Sequence, residues 1–268
     1  MVRTDGEAHG FGRAVDAWIA GLGLVRDEVR QELVRRQLAV NLPEASGSLL
    51  VLDAGCGQAT QAIALARAGH EVVGLDLSQK LLDAARSAAS REPPRVRRRM
   101  DFVVGDLLFL GPEHRGRYDL VCCHGVAMYL PSLEAAVTAL TGAARPGGRL
   151  SLLTRNRAGI AMRAGMSGNW AAALEAFDAR YYDNRLGIED VRADEPQEVR
   201  AALDAAGADT LAWYGVRLFT DHFGPSHPGA DFEELLAAEE EVGRQDPYRA
   251  LAALTHTIGE VRAGPHTG

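Results

Sequence analysis

A doubly wound α/β fold with a mostly parallel sheet is predicted by three observations. Between Leu49 and Leu153, short apolar runs alternate with helical patterns, as in βαβ units whose strands are buried on both faces. A loop with two glycines one residue apart, VLDAGCGQAT, follows the first apolar run directly. The chain of 268 residues is 47% hydrophobic, enough to bury a full core.

The runs follow in order: LLVLDA, the helical TQAIALARAG, VVGLDL, the helical SQKLLDAARSAA, MDFVVGD, YDLVCCHGV, the helical LEAAVTALTGAA, and RLSLLT. Gly69, Gly105 and Gly147-Gly148 after Pro146 mark turns and helix ends. This stretch is the ligand-binding core, residues 49–155. Before it, in an amino-terminal helical segment (1–48), LVRDEVRQELVRRQLAV places Val25, Val29, Leu33 and Val40 near helical spacing, with arginines on other faces. After Thr154 the pattern loosens, and residues 156–195 are expected to be a capping insertion. In 196–268, PQEVRAALDAAG reads as a helix opened by Pro196 and stopped at Gly207. A strand, DTLAWYGVRLF, an acidic helix, DFEELLAAEEEVGR, and a last strand, HTIGEVR, complete it. No repeat or low-complexity linker divides the chain, so one domain is expected.

Composition narrows the function. With a formal net charge of −7, the chain lacks the global field of a protein that holds nucleic acid by charge alone. Lys80 is the only lysine. The run REPPRVRRRM, Arg91 to Met100, reads as a solvated connection or as an electrostatic hold on a phosphate-bearing substrate. No apolar run approaches the ~18 residues of a membrane helix, and MVRTDGEAHG has no signal-peptide pattern, so no membrane partner and a cytoplasmic location are expected. Cys56, Cys122 and Cys123 have no CxxC or Cys/His spacing; they read as small buried residues, and no metal is expected. AGMSGN places Asn169 where a G-x-S-x-G elbow needs glycine, and no glycine-lysine pair supports a phosphate loop.

The glycine loop carries the chemistry. Parallel sheets bind ligands beyond the carboxyl ends of their strands, where strand order reverses. The first strand ends at Asp53; Gly55 and Gly57 let the backbone turn and approach a ligand, and a helix starting near Gln58 to Thr60 points free amides at it. At the end of the second strand Asp76 can accept from two vicinal ribose hydroxyls, which makes an adenosine-type site. A dinucleotide fingerprint would put a third glycine where Thr60 stands, and Asp53 would repel a pyrophosphate. A carboxylate there suits an ammonium group, so the pattern favours S-adenosylmethionine over NAD.

VLDAGCG, VVGLDLS, FVVGD, YDLVCCHGVAMYL and RPGGRLSLL together resemble the successive motifs of class I S-adenosylmethionine-dependent methyltransferases. The resemblance implies a Rossmann-like sheet of seven strands, the last two forming an antiparallel element. It implies that Asp53, Gly55 and Gly57 face the methionine portion of the cofactor, that Asp76 binds ribose, and that Asp106 lies by the adenine. Read without it, Asp53 and Asp106 would be strand-end caps.

DEVRQELVRRQL, LTRNRAGIAMRAGMSGNW, YGVRLFTDH and DPYRALAALTHTIGEVR extend the resemblance to nearly the whole chain, which is similar to the bacterial tRNA 5-carboxymethoxyuridine methyltransferases. These esterify the carboxylate of a modified wobble uridine. By that similarity Arg30 pairs with the cofactor's carboxylate, a bidentate role suited to arginine's planar fork, and His124 lies beside the sulfonium. Asn156, Arg157, Arg163, Gly168, Asn169 and Arg217 are candidates to shape the acceptor pocket. A carboxylate acceptor needs no general base, so no catalytic side chain is assigned; for a hydroxyl or amine acceptor, His124 or Tyr129 would be the base. The stretch ALEAFDARYYDNRLGIEDVRADEP is mixed and acidic. It keeps a small-metabolite acceptor open beside tRNA, and a non-catalytic cofactor-binding module is the reading from another class.

Overall fold

A computed structural model describes residues 11–43 and 47–263. In chain order the helices and strands are α1 (Phe11–Ala20), α2 (Val25–Ala39), β1 (Leu50–Ala54), α3 (Thr60–Arg67), β2 (Glu71–Asp76), α4 (Gln79–Ser90), α5 (Pro94–Arg97), β3 (Met100–Val104), β4 (Tyr118–His124), α6 (Leu133–Ala143) and β5 (Ala144–Arg155). There follow α7 (Ala158–Met166), α8 (Trp170–Ala176), β6 (Tyr181–Tyr182), β7 (Val191–Arg192), α9 (Pro196–Ala205), β8 (Ala208–Val216), α10 (Phe232–Val242) and β9 (Leu254–Val261).

Seven strands form one sheet in the order β3-β2-β1-β4-β5-β9-β8. β1 runs parallel to both β2 and β4, and β2 parallel to β3. The chain moves outward from β1 through β2 to β3 and restarts at β4 on the other side of β1, so the reversal of strand order falls at β1. This is the mostly parallel, doubly wound sheet that the alternating runs predict.

The chain divides into two compact units. One comprises Leu38–Leu152, Val199–Ala212 and Thr257–Gly268. Its core gathers Leu52, Tyr118, Val121 and Leu150 with Leu133, Val137 and Leu140 of α6 and Val199 and Leu203 of α9. Helix starts follow local chemistry: Ser78 Oγ accepts from Leu81 N at 3.3 Å to open α4, and Ser132 Oγ from Ala135 N at 3.0 Å to open α6. Cys122 and Cys123 are fully buried in β4, where desolvation pushes both thiols up, Cys123 to about 12. The run from Arg91 to Met100 is no simple loop: Pro93 and Pro94 start the short α5, which buries Val96.

The other unit comprises Met1–Gln37, Leu153–Glu198 and Trp213–His256. Val25, Val29 and Leu33, continued by Val34 and Leu38, form the buried stripe of α2; Val40 lies just beyond the helix end and is 70% exposed. Arg36 of α2 meets Glu233 and Glu240 of the acidic α10, each at 3.2 Å. Residues 156–195 hold more structure than their loose pattern shows: α7, α8 and the antiparallel pair β6–β7, in register Tyr181 to Arg192 and Tyr182 to Val191. Gly159 in α7 is required by packing, since a Cβ there would sit 2.7 Å from Ala252 O and Ala253 Cα.

Candidate functional site

The loop after β1 turns at once. Gly55 has φ +79, and its amide and that of Cys56 donate to Leu75 O at 2.7 and 3.0 Å. A Cβ on Gly55 would come within 2.3 Å of Val126 Cγ2, so only glycine passes here. Ala59 (φ 69) also takes the left-handed conformation, and α3 starts at the next residue without a side-chain cap.

Two carboxylates bracket this loop. Asp53 is 3% exposed. Burial, and then the negative charge of Asp76, push it up to about 7, against a hydrogen bond from the Ala62 amide. Asp76 accepts from Gly57 N at 2.9 Å and from Ser78 N at 2.8 Å, tying the glycine loop to the end of β2. Burial raises this carboxyl as well, and those amides oppose the rise. At the end of β3, Asp106 accepts from Leu108 N at 2.9 Å and caps the 3-10 turn Leu107–Phe109. His124 ends β4, its Nε2 2.8 Å from Ser151 Oγ. The Cys56 thiol is pushed up by burial and by Asp53 and Asp76, which leaves it a poor nucleophile. Asp53, Gly55, Gly57, Asp76, Asp106 and His124 thus all stand at the carboxyl ends of β1 to β4 or in the loops that follow, in one unit.

The remaining candidates belong to the other unit. Arg30 is 8% exposed; its guanidinium donates to Asp27 and lies 4.8 Å over the Trp18 ring. Arg163 and Arg217 line one cleft with Gly159, Met162, Met166, Leu218, Asp221 and His222. Arg217 pairs with Asp221 at 3.1 Å. Asn156 and Asn169 do local structural work: Asn156 Nδ2 donates to Ala250 O and Ala252 O at 2.8 and 2.7 Å, and Asn169 caps α8 through Ala172 N at 3.2 Å. Gly168 precedes that cap at φ +74, and Arg157 pairs with Glu195.

Sequence reasoning missed Asp221, the buried centre of this cluster. Arg155, Arg217 and Arg26 converge on its carboxylate at 3.2, 3.1 and 3.4 Å, and they hold it well below the usual carboxylate range despite burial. Arg185 donates to its backbone carbonyl at 3.2 Å. Only Arg217, four residues earlier, is a local partner; the others lie on α2, β5 and the β6–β7 connection, which no local motif joins. Among the described residues no group of His, Cys, Asp and Glu could hold a metal ion, and no helix is long and apolar enough to cross a membrane.

The strand order and the glycine loop at the switch point find their counterparts among known proteins. Residues 51–148 match the family described as "Methyltransferase domain". Over 236 residues the chain is 30% identical to tRNA 5-carboxymethoxyuridine methyltransferase of Escherichia coli K12, covering 87% of this chain and 88% of that one. A ubiquinone biosynthesis O-methyltransferase of Bordetella avium is 34% identical over 119 residues, 43% of this chain and 48% of that one. In fold, magnesium protoporphyrin IX methyltransferase from Synechocystis PCC 6803, solved with bound SAH, superposes with a TM-score of 0.63 at 19% identity, covering 95% of this chain and 96% of that one. The chain belongs to the class I S-adenosylmethionine-dependent methyltransferases and, within them, to the group that includes tRNA 5-carboxymethoxyuridine methyltransferase. It is an enzyme whose cofactor is S-adenosylmethionine. The donor set fits: that cofactor brings a sulfonium, an ammonium and a ribose diol, and the carboxylates of Asp53 and Asp76 stand at the ends of β1 and β2.

Proposed function

We propose that the enzyme transfers the methyl group to an oxygen of a carboxylate, that of a modified wobble uridine in tRNA. The observation that carries this reading is the guanidinium cluster of Arg26, Arg155, Arg163, Arg185 and Arg217 around the single carboxylate of Asp221, a surplus of positive charge suited to an anionic acceptor. The similarity to the Escherichia coli enzyme along most of both chains supports the tRNA-borne acceptor. A small metabolite carrying a carboxylate is the second reading, favoured by the net charge of −7 and the acidic mixture after Asn169.

Cofactor binding is assigned to Asp53, for the ammonium group, to Gly55 and Gly57, which let the backbone approach, and to Asp76, for the ribose. Asp106 is assigned to the adenine side, His124 to the sulfonium side and Arg30 to the methionyl carboxylate. Arg163 and Arg217 are assigned to the acceptor, with Asn156 and Asn169 shaping the surrounding backbone. S-adenosylmethionine supplies an electrophilic methyl group when bound. The residues then orient and dry the reactants for an in-line displacement, an effect of about 7–11 kcal/mol in well-aligned systems. A carboxylate arrives ionised at neutral pH, so no side chain need remove a proton.

The test is incubation with methyl-labelled S-adenosylmethionine and an extract of the protein's own source, followed by separation of tRNA, protein and small molecules. Label in tRNA that mild alkali releases is expected. Alkali-labile label confined to small molecules would overturn the tRNA acceptor, and alkali-stable label would overturn the ester.

A further inference from the structure

Arginines on the surface of this acidic chain are commonly shadowed by a carboxylate. Arg35 and Arg36 pair with Glu32, Arg67 with Glu92, Arg99 with Glu71, Arg145 with Asp119, and Arg262 with Asp204 and Asp209. The run after α4 breaks that pattern. Arg91, Arg95, Arg97 and Arg98 are all exposed, and none of their guanidiniums makes a hydrogen bond or ion pair with a described residue. The acids beside them are engaged: Glu92 with Arg67 at 2.9 Å, and Asp101 with the Phe102 amide at 2.9 Å. The display is held in place. Pro93 and Pro94 fix the chain entering α5, Val96 is buried beneath it, and Arg99 ties the exit to Gly69 O and Glu71. Arg95 and Arg98, three residues apart on this turn, share one face.

Location decides what the run can do. β3 starts at Met100 and pairs with β2 from Val72, so the arginines stand at the amino ends of these strands. Asp53 and Asp76 stand at the carboxyl ends of β1 and β2. α4 joins the two levels: Ser78, which caps its start, donates to Asp76, and Arg91 follows its last residue. Its 12 residues span about 18 Å. Exposed Lys80 and Arg86 lie along it, with Asp83 as the acid between them, 3.1 Å from Arg86. β3 is an edge strand, so no further strand covers this flank of the sheet. A single phosphate held by these exposed arginines would stay in water and gain little. A polyanion gains from several contacts at once, because it releases condensed counterions. A membrane surface fits less well: between Ser78 and Val103 no large apolar side chain is exposed to enter lipid.

We propose that Arg91, Arg95, Arg97 and Arg98 dock the phosphate backbone of a structured RNA, about 18 Å from the cofactor end of the sheet. With a net charge of −7, the rest of the surface repels that backbone, so one patch both binds and orients it. The inference rests on the tRNA reading for the choice of RNA, though not for the surface itself. It adds a remote contact with phosphates of a stem, away from the base that is methylated. Fluorescence anisotropy of labelled tRNA from the protein's own source, titrated with the full chain at about 50 to about 200 mM salt, tests it. In Arg95→Gln/Arg97→Gln/Arg98→Gln the affinity should fall at least tenfold. The slope of log affinity against log salt should flatten by about 2–3, at roughly 0.7–0.9 per lost phosphate contact. S-adenosylhomocysteine should bind as before. Arg115→Gln/Arg200→Gln, which removes two exposed arginines elsewhere in the same unit, should bind tRNA like the wild type. Unchanged affinity and slope in the triple variant would overturn the surface, even if alkali-labile transfer to tRNA were observed. Loss of binding to phosphatidylserine vesicles with tRNA binding unchanged would replace RNA with a membrane as its partner. Methyl label confined to small molecules, with tRNA binding still dependent on the three arginines, would overturn the acceptor reading and uphold the docking surface.

Discussion

At the ends of β1 and β2, carboxylates crowd together: Asp53 is buried, Asp76 partly so, and each is raised, with no guanidinium as partner among the described residues. Around Asp221 the imbalance is reversed, and several guanidiniums share one carboxylate held below its usual range. A buried charge without full compensation costs stability, so each cluster carries a cost that a ligand of opposite sign would offset. The first polarity suits the positive cofactor, the second an anionic acceptor. The two clusters should therefore respond in opposite ways to substitution and to pH.

The largest effect is expected at Asp221. Replacing it with Asn leaves buried guanidiniums without their shared counter-charge, which should cost about 3–5 kcal/mol of unfolding free energy in denaturant titration. Next comes Gly55→Ala, which sets a Cβ against Val126 at a positive φ; a loss of about 1–3 kcal/mol is expected, together with weaker cofactor binding. Asp76→Ala should weaken S-adenosylhomocysteine binding by about 1.5–3 kcal/mol in calorimetry, the range for hydrogen bonds to a charged group. Asp106→Ala should cost least, about 0.5–2 kcal/mol for a lost cap.

The pH dependences should have opposite signs. The Asp53 carboxyl is raised from about 3.8 to about 7 in the fold, so its stabilising contribution is present below about 3.8 and is lost as pH rises towards 7. The Asp221 carboxyl is lowered, so its contribution is present above its ordinary value and is lost as pH falls through its folded value. In thermal melts without ligand, Asp53→Asn should gain on the wild type as pH rises from 4 to about 7. A constant difference across that window would remove Asp53 from the account.

The carboxylate-rich cluster was legible in the sequence because its parts are local. A buried strand, an aspartate, spaced glycines and a second strand ending in aspartate occur in order, and β1–β2 pairing brings Asp53 and Asp76 to the same end. The guanidinium cluster was legible only in part. Arg163 and Arg217 stood out by resemblance, but Asp221 pairs with Arg26 across a separation of 195 residues and with Arg155 across 66, which no periodicity encodes. The secondary structure of 156–195 escaped for a related reason. The helices α7 and α8 are short and rich in Ala and Gly, so they show too few turns for a 3.6-residue pattern, and their caps and packing define them instead. α1 was likewise unread.

The division of polarity is tested most directly by one calorimetric comparison, titrating Asp53→Asn and Arg163→Met each with S-adenosylhomocysteine and with methoxyacetate. Asp53→Asn is expected to weaken the nucleoside at least tenfold and leave methoxyacetate unchanged, and Arg163→Met to do the reverse. Loss of both ligands in both variants, or of neither, would contradict the account.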